Sequence, residues 1–226
     1  MKIGIIGTGN MGRALGLGWA RQGHQVLFGS RDPDKARAVA ARGTGSSRAG
    51  DFDAAAEFGD VVLYTVRGVY PSALLRASQT LSGKVVIDCN NSDLGDDSRP
   101  GEFRFDRPGA ATSLAEQLAA DAPGARVVKA FNTIPFAVIE LGREKLAPHR
   151  VSVFLSSDDP AAKAAVAQLC EELGFAGVDS GPLERARLVE GLADFLRLQI
   201  GPMGLGMYAT ISVHVLPEPG NHGGNR

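Results

Sequence analysis

Apolar residues recur along this chain in two rhythms. At 2–6, 25–28, 60–66, 84–89, 126–131 and 151–156 they form short, nearly unbroken runs rich in Val, Ile and Leu, the pattern of strands buried on both faces of a parallel sheet. Between them, 33–41, 51–58, 71–80, 112–122 and 159–173 read as helices, with a weak strand at 44–47 and a short one at 176–179. The alternation predicts an α/β fold, a doubly wound parallel sheet closed by right-handed crossovers, with the strands at 151–156 and 176–179 continuing the same sheet. The longest helix spans 183–200. Its Leu188, Val189, Leu192, Phe195 and Leu196 recur at helical spacing against Glu184, Arg187, Glu190, Asp194 and Arg197, so the stripe is expected to cover a core. Because this helix leads into Met203-Gly204-Leu205-Gly206-Met207-Tyr208, a subunit interface, and with it a homodimer, is the second reading. The expected organisation is a sheet domain over 1–180, a C-terminal helical extension forming a cleft or dimer segment over 181–216, and a disordered tail over 217–226. The stretch 92–109, rich in Asp, Ser, Pro and Gly, is expected as a long loop at the crevice rim, either an ordinary surface loop or a lid.

The first strand runs into Gly7-Thr8-Gly9-Asn10-Met11-Gly12. A buried strand, glycines in G-x-G-x-x-G spacing and a helix N-terminus make a site where backbone N–H groups meet a pyrophosphate. Gly7 allows the tight turn, Gly9 the approach of the pyrophosphate, and Gly12 the contact of helix with strand. Gly16 repeats that small surface one turn on, beside Leu15, Trp19 and Ala20.

The end of the second strand selects the dinucleotide. Chains that take NAD usually place a carboxylate there, whereas a 2′-phosphate calls for a cation. Here the strand ends at Gly29-Ser30-Arg31, with Lys35 a helical turn away. Arg31, Ser30, Lys35 and Thr8 therefore form a candidate 2′-phosphate site, and the cofactor expected is NADP(H). The other role open to Arg31 is to cap the strand and pair with Asp32 or Asp34.

Charge and composition narrow the partners. The 226 residues carry 24 basic and 25 acidic side chains, so there is no electrostatic reason to expect nucleic acid. The apolar runs are strand-sized, which argues against a membrane span, and no signal peptide precedes the first strand, so a cytoplasmic location is expected. Cys89 and Cys170 lie outside any metal or redox spacing, and His24, His149, His214 and His222 are scattered, so no metal is expected.

In an open parallel sheet the ligand lies beyond the carboxyl ends of the strands. Those ends are Thr65-Val66-Arg67, Asp88-Cys89-Asn90-Asn91 and Phe131-Asn132-Thr133-Ile134-Pro135. They offer amides, hydroxyls and apolar surface, with no nucleophile–base set. That inventory suits holding a nicotinamide ring by its carboxamide, the cofactor supplying the chemistry. Asn132, Thr133 and Arg67 are the candidates to touch the reacting groups; the lesser alternative is that Asn132 and Thr133 only terminate a strand.

These segments carry a resemblance. With the glycine turn and Gly29-Ser30-Arg31, the runs Lys129-Ala130-Phe131-Asn132-Thr133-Ile134-Pro135 and Asp179-Ser180-Gly181-Pro182-Leu183, the latter leading to Ala186-Arg187-Leu188-Val189-Glu190, resemble the NADPH-dependent reductases of the deazaflavin coenzyme F-420. They are also similar to the cytosolic NADPH-binding domain of the six-transmembrane epithelial antigen metalloreductases. The resemblance covers nearly the full chain. It implies an NADP-binding Rossmann fold, with Gly7, Thr8, Gly9, Asn10, Met11, Gly12, Ser30, Arg31 and Lys35 around the phosphates. Thr65, Val66, Asn132, Thr133 and Pro135 would border the nicotinamide and a second coenzyme. This chain has Arg67 where deazaflavin reductases tend to carry proline, and Asn132 where they tend to carry histidine.

The leading expectation is thus a soluble NADP(H)-dependent oxidoreductase exchanging hydride with a small-molecule acceptor, coenzyme F-420 or a flavin such as FMN or FAD. Arg67 would pair with an anionic acceptor, or with Asp88 or a loop carboxylate. A small imine or ketone substrate would need a proton donor, for which Tyr70, Lys129 and Asp88 are the candidates. A non-catalytic NADPH-binding module that senses redox state is the reading from a different class.

Overall fold

The structure, a computed structural model, describes residues 1–91 and 112–216. The expected loop at 92–109, the tail over 217–226 and His222 lie outside the described residues. In chain order the elements are β1 (Lys2–Ile6), α1 (Asn10–Arg21), β2 (Gln25–Gly29), α2 (Pro33–Ala40), β3 (Ser47–Gly50), α3 (Phe52–Phe58), β4 (Val61–Tyr64), α4 (Pro71–Leu74) and β5 (Val85–Asp88). There follow α5 (Leu114–Asp121), β6 (Arg126–Lys129), α6 (Phe136–Ile139), α7 (Arg143–Leu146), β7 (Ser152–Leu155), α8 (Pro160–Glu172), β8 (Ala176–Asp179) and α9 (Ala186–Ile200).

The main sheet has the order β3-β2-β1-β4-β5-β6 and is parallel throughout. The order reverses between β1 and β4, so the crevice of a doubly wound sheet opens there. Successive side chains of each strand enter different cores. Ile3, Ile5, Leu63, Ile87 and Val128 pack with α1 and α8, while Ile6, Val62, Tyr64, Val86 and Val127 pack with α3 and α5. Helix α3 lies directly on β1, because a Cβ on Gly4 would stand 2.0 Å from the carbonyl oxygen of Ala55. Asp32, Asp51, Ser113 and Asp159 cap α2, α3, α5 and α8 with side-chain oxygens, which satisfies N–H groups that a helix leaves unpaired.

Four expectations are corrected. First, β7 and β8 do not extend the main sheet: they pair with each other and reach it through one antiparallel bridge, Lys129 to Ser156. Second, β3 lies at Ser47–Gly50 rather than 44–47, because Thr44 and Ser46 donate their hydroxyls to Ala20 O and His24 O and so form the turn into the strand. Third, the helix expected over 71–80 breaks after Leu74. Leu75 is extended (φ −99°, ψ 151°) and buried, and the Arg76 N–H donates to Asp53 Oδ1 at 2.8 Å. Core burial and an exposed ion pair replace helical hydrogen bonds there.

The fourth correction concerns α9, which begins after a 3₁₀ turn at Leu183–Arg185. The predicted apolar stripe divides. Val189, Ala193 and Leu196 face inward together with Glu190, whereas Leu188 and Phe195 are 68% and 53% exposed. The outward residues lie on the face that the sequence marks as a candidate subunit interface. Arg187 ties α9 to α5: its guanidinium donates to both oxygens of Glu116 and holds that carboxyl down to about 2. Among the described residues no helix is long and apolar enough to cross a membrane.

Candidate active site

The glycine turn has the geometry its spacing requires. Gly7 sits at φ +111°, and a Cβ there would stand 2.3 Å from Thr65 Oγ1. At Gly12 a Cβ would lie 2.0 Å from Gly7 O, so α1 rests directly on the turn. Gly16 extends that contact, with a Cβ 2.4 Å from the Phe28 ring. A Cβ at Gly9, in contrast, would meet nothing within 4 Å. Gly9 faces open space where a phosphate can approach. Helix α1 has no side-chain cap, unlike α2, α3, α5 and α8, and no acidic residue in its first turn. Its unpaired N–H groups and the positive end of its dipole are therefore available to an anion.

At the end of β2, Ser30 is buried and its Oγ accepts from the Asp32 N–H at 3.1 Å, leaving the hydroxyl proton to donate. Asp32 caps α2 and pairs with Lys35 at 3.6 Å, and Asp34 pairs with Arg37. Neither carboxylate engages Arg31, which is exposed and makes no ion pair among the described residues. Thr8, beside Gly9, is half-buried.

The carboxyl ends of β4, β5 and β6 surround a cavity of about 560 Å³. Asn10, Met11, Thr65, Arg67, Asn132, Thr133 and Pro135 line it, as do Cys89, Asn90 and Asn91. Gly9 joins them, linking the cavity to the turn. Val66 is the predicted residue that turns elsewhere: it packs on the core beneath α3 and α5. Thr65 donates its hydroxyl to Ile6 O at 2.9 Å and so braces the glycine turn. Gly7, Thr8, Gly12, Ser30, Arg31 and Lys35 lie away from the cavity lining. Burial pushes the Cys89 thiol up to about 12, so it stays neutral.

Backbone strain aims the last strand end. Phe131 is fully buried at φ +62°, a region that costs an aromatic residue energy and persists only where packing enforces it. Trp19 and Phe175 hold its ring edge-on, with centroids at 5.8 and 6.2 Å. Beyond this bend, Asn132 donates through Nδ2 to Asn91 Oδ1 at 3.0 Å and to Val189 O at 3.1 Å. Asn132 Oδ1 and Thr133 Oγ1 are buried without a hydrogen-bond partner among the described residues. Two orphaned polar atoms on a cavity wall are what a polar ligand such as a carboxamide would satisfy, and with the uncapped α1 terminus they fit a nicotinamide dinucleotide.

Arg67 is exposed and makes no ion pair with Asp88, which is already engaged. Lys129, fully buried, donates to Asp88 Oδ2 at 2.9 Å, Glu190 Oε1 at 2.7 Å and Asn90 O at 2.5 Å. Burial pushes the Glu190 carboxyl up. Tyr70 donates its hydroxyl to Gln117 and lies outside the cavity lining. None of the three candidate proton donors, Tyr70, Lys129 and Asp88, lines the cavity.

The sequence marks 181–216 as a cleft or dimer segment without naming the residues that reach the cleft; α9 supplies Ala193, Leu196, Arg197 and Ile200 to the cavity. Only the ordering of strand ends around a crevice could have pointed to them.

Residues 2–92 match the family model described as NADP oxidoreductase, coenzyme F420-dependent. The F420-dependent NADP reductase of Methanothermobacter marburgensis is 30% identical over 209 residues, spanning 87% of this chain and 91% of that one. The chain belongs to the F420-dependent NADP reductase family. It is an NADP-dependent oxidoreductase of Rossmann fold. A crystal structure of an F420-dependent NADP-reductase candidate from Arthrobacter sp. FB24 superposes with a TM-score of 0.69 at 30% identity, covering 88% of this chain and 93% of that one. Metalloreductase STEAP3 of Rattus norvegicus is 29% identical over 191 residues, 84% of this chain, which spans 36% of that metalloreductase's length.

Proposed function

We propose that this reductase exchanges hydride between NADPH and a planar ring acceptor, coenzyme F-420 or a flavin, seated in the cavity between the strand ends and α9. The observation that carries this reading is the cavity itself, which is continuous with the glycine turn and walled by amides, hydroxyls and apolar surface. Bound NADPH supplies the hydride, and the chain's own residues position the two rings. Asn132 Oδ1 accepts from the N–H of the nicotinamide carboxamide, and Thr133 Oγ1 accepts from that group or donates to its oxygen. Arg67, at the exposed side of the cavity with no ion pair among the described residues, receives an anionic group of the acceptor. A delocalised ring needs no strong protein acid, which agrees with a cavity lined by none of the three candidate donors. The test is NADPH oxidation with coenzyme F-420, FMN, FAD and simple carbonyls in parallel. Turnover is expected with a ring acceptor and not with carbonyls; absence of turnover with every ring acceptor overturns the proposal.

The 2′-phosphate reading of Ser30 and Arg31 has its own check. Arg31→Ala removes a charge-assisted contact to phosphate, and NADPH affinity is expected to fall about 10- to 100-fold with NADH affinity nearly unchanged. Titration of both cofactors measures it, and an equal loss for the two refutes the role.

A further inference from the structure

Glu190 does nothing in the reading above, yet it is a 7% exposed carboxylate on a helix whose neighbouring turns expose Leu188 and Phe195. An acidic residue is expected to take the solvent side of such a helix. Here it accepts from Lys129 Nζ at 2.7 Å and from the Leu114 N–H at 3.0 and 3.2 Å. One carboxylate thus joins the end of β6, the first turn of α5 and the middle of α9. Its neighbour in α9, Val189, presents the carbonyl that accepts from Asn132 Nδ2. A carbonyl can only accept, so this contact fixes the sense of the Asn132 amide. Asn91 consumes the other Nδ2 proton and donates its own Nδ2 to Asn132 O at 2.7 Å. Oδ1 is the one group of that amide left without a partner among the described residues.

We propose that Glu190 is a positioning residue: by locking the register of α9 to β6 and α5, it holds Val189 O where it turns Asn132 Oδ1 toward the nicotinamide site. The inference rests on the reading of Asn132 as a ligand of the nicotinamide carboxamide. What matters is the length of the side chain and its acceptor atoms. A glutamine keeps both the reach and an accepting oxygen for Lys129. An aspartate keeps the charge but, one methylene shorter, cannot reach Lys129 and Leu114 together without moving α9.

The experiment compares the affinities of the full-length protein for NADPH and for 2′-phospho-ADP-ribose, which lacks the nicotinamide, by fluorescence and competition titration. Their ratio reports the nicotinamide site alone. Asn132→Ala is expected to lower the preference for NADPH about fivefold, the size of one hydrogen bond. Glu190→Ala and Glu190→Asp should lower it comparably, and Glu190→Gln should keep it. The Asn132→Ala/Glu190→Ala double variant should fall no further than Asn132→Ala, because both act through one contact. Glu190→Asp decides the matter if Glu190→Ala fails to fold. An unchanged preference in Asn132→Ala overturns the reading of Asn132 itself. Losses that multiply in the double variant, or a preference retained by folded Glu190→Asp, overturn the role of Glu190 and leave Asn132 in place.

Discussion

Gly12→Ala is expected to weaken NADPH binding more than 100-fold and to lower stability by about 1–3 kcal/mol, the usual range for overpacking. The added methyl would lie 2.0 Å from Gly7 O and 3.0 Å from Ile5 Cγ2. Neither neighbour is free to yield, since one is turn backbone and the other a core side chain. Helix α1 must back away from the turn, carrying its uncapped N–H groups out of reach of a phosphate. Gly9→Ala separates binding from folding, because its methyl meets nothing within 4 Å. It should leave the unfolding temperature of the free protein unchanged while reducing NADPH affinity. Fluorescence titration with thermal unfolding of both variants measures this. If Gly12→Ala binds NADPH within threefold of the parent, the contact of α1 with the turn is not what builds the site.

The contrast between those glycines was legible in the sequence, as were most strands and the sheet they form. A parallel strand buried on both faces reads as an apolar run because each side chain meets a core whichever way it points. The glycine spacing specifies backbone conformation, which depends on few distant residues. Legibility ended where distant contacts outweighed local pattern. Leu75 leaves a helical stretch to enter the core, and β7 meets the main sheet only through the bridge from Lys129 to Ser156 while pairing along its length with β8. The face of α9 was the largest misreading. Periodicity put Glu190 among the solvent residues and Leu188 and Phe195 on the core side, and the structure reverses them because Lys129 is buried beneath the helix and draws a second carboxylate inward. In the candidate site, Asn132 and Thr133 could be named as strand-end groups. Their orphaned oxygens depend on the bend at Phe131, a positive φ that nothing in the amino-acid pattern announces.

That buried cation carries the other large expected effect. Lys129→Met would leave Asp88 and Glu190, 0% and 7% exposed, without the ammonium that neutralises them. Breaking a buried ion cluster by removing one partner costs about 3–5 kcal/mol, because the remaining charge stays desolvated. The pH dependence follows from the same cause. Even beside the lysine, burial holds Glu190 above its ordinary value of 4.5, and without the lysine that carboxyl should rise further. A carboxyl whose folded-state value lies above its unfolded value destabilises the fold wherever the pH exceeds the unfolded value. The deficit of Lys129→Met relative to the parent is therefore greatest at neutral pH and shrinks as the pH falls toward 4.5, where the Glu190 carboxyl can be neutral in both states. Adding Glu190→Gln to Lys129→Met should recover part of the loss at pH 7, since one buried charge is then removed along with its partner. Denaturant unfolding of parent, single and double variants at pH 7 and pH 5 measures each of these differences. A deficit of equal size at both pH values would mean that Lys129 contributes through packing of its alkyl chain, and that the charges of Asp88 and Glu190 are balanced by other groups.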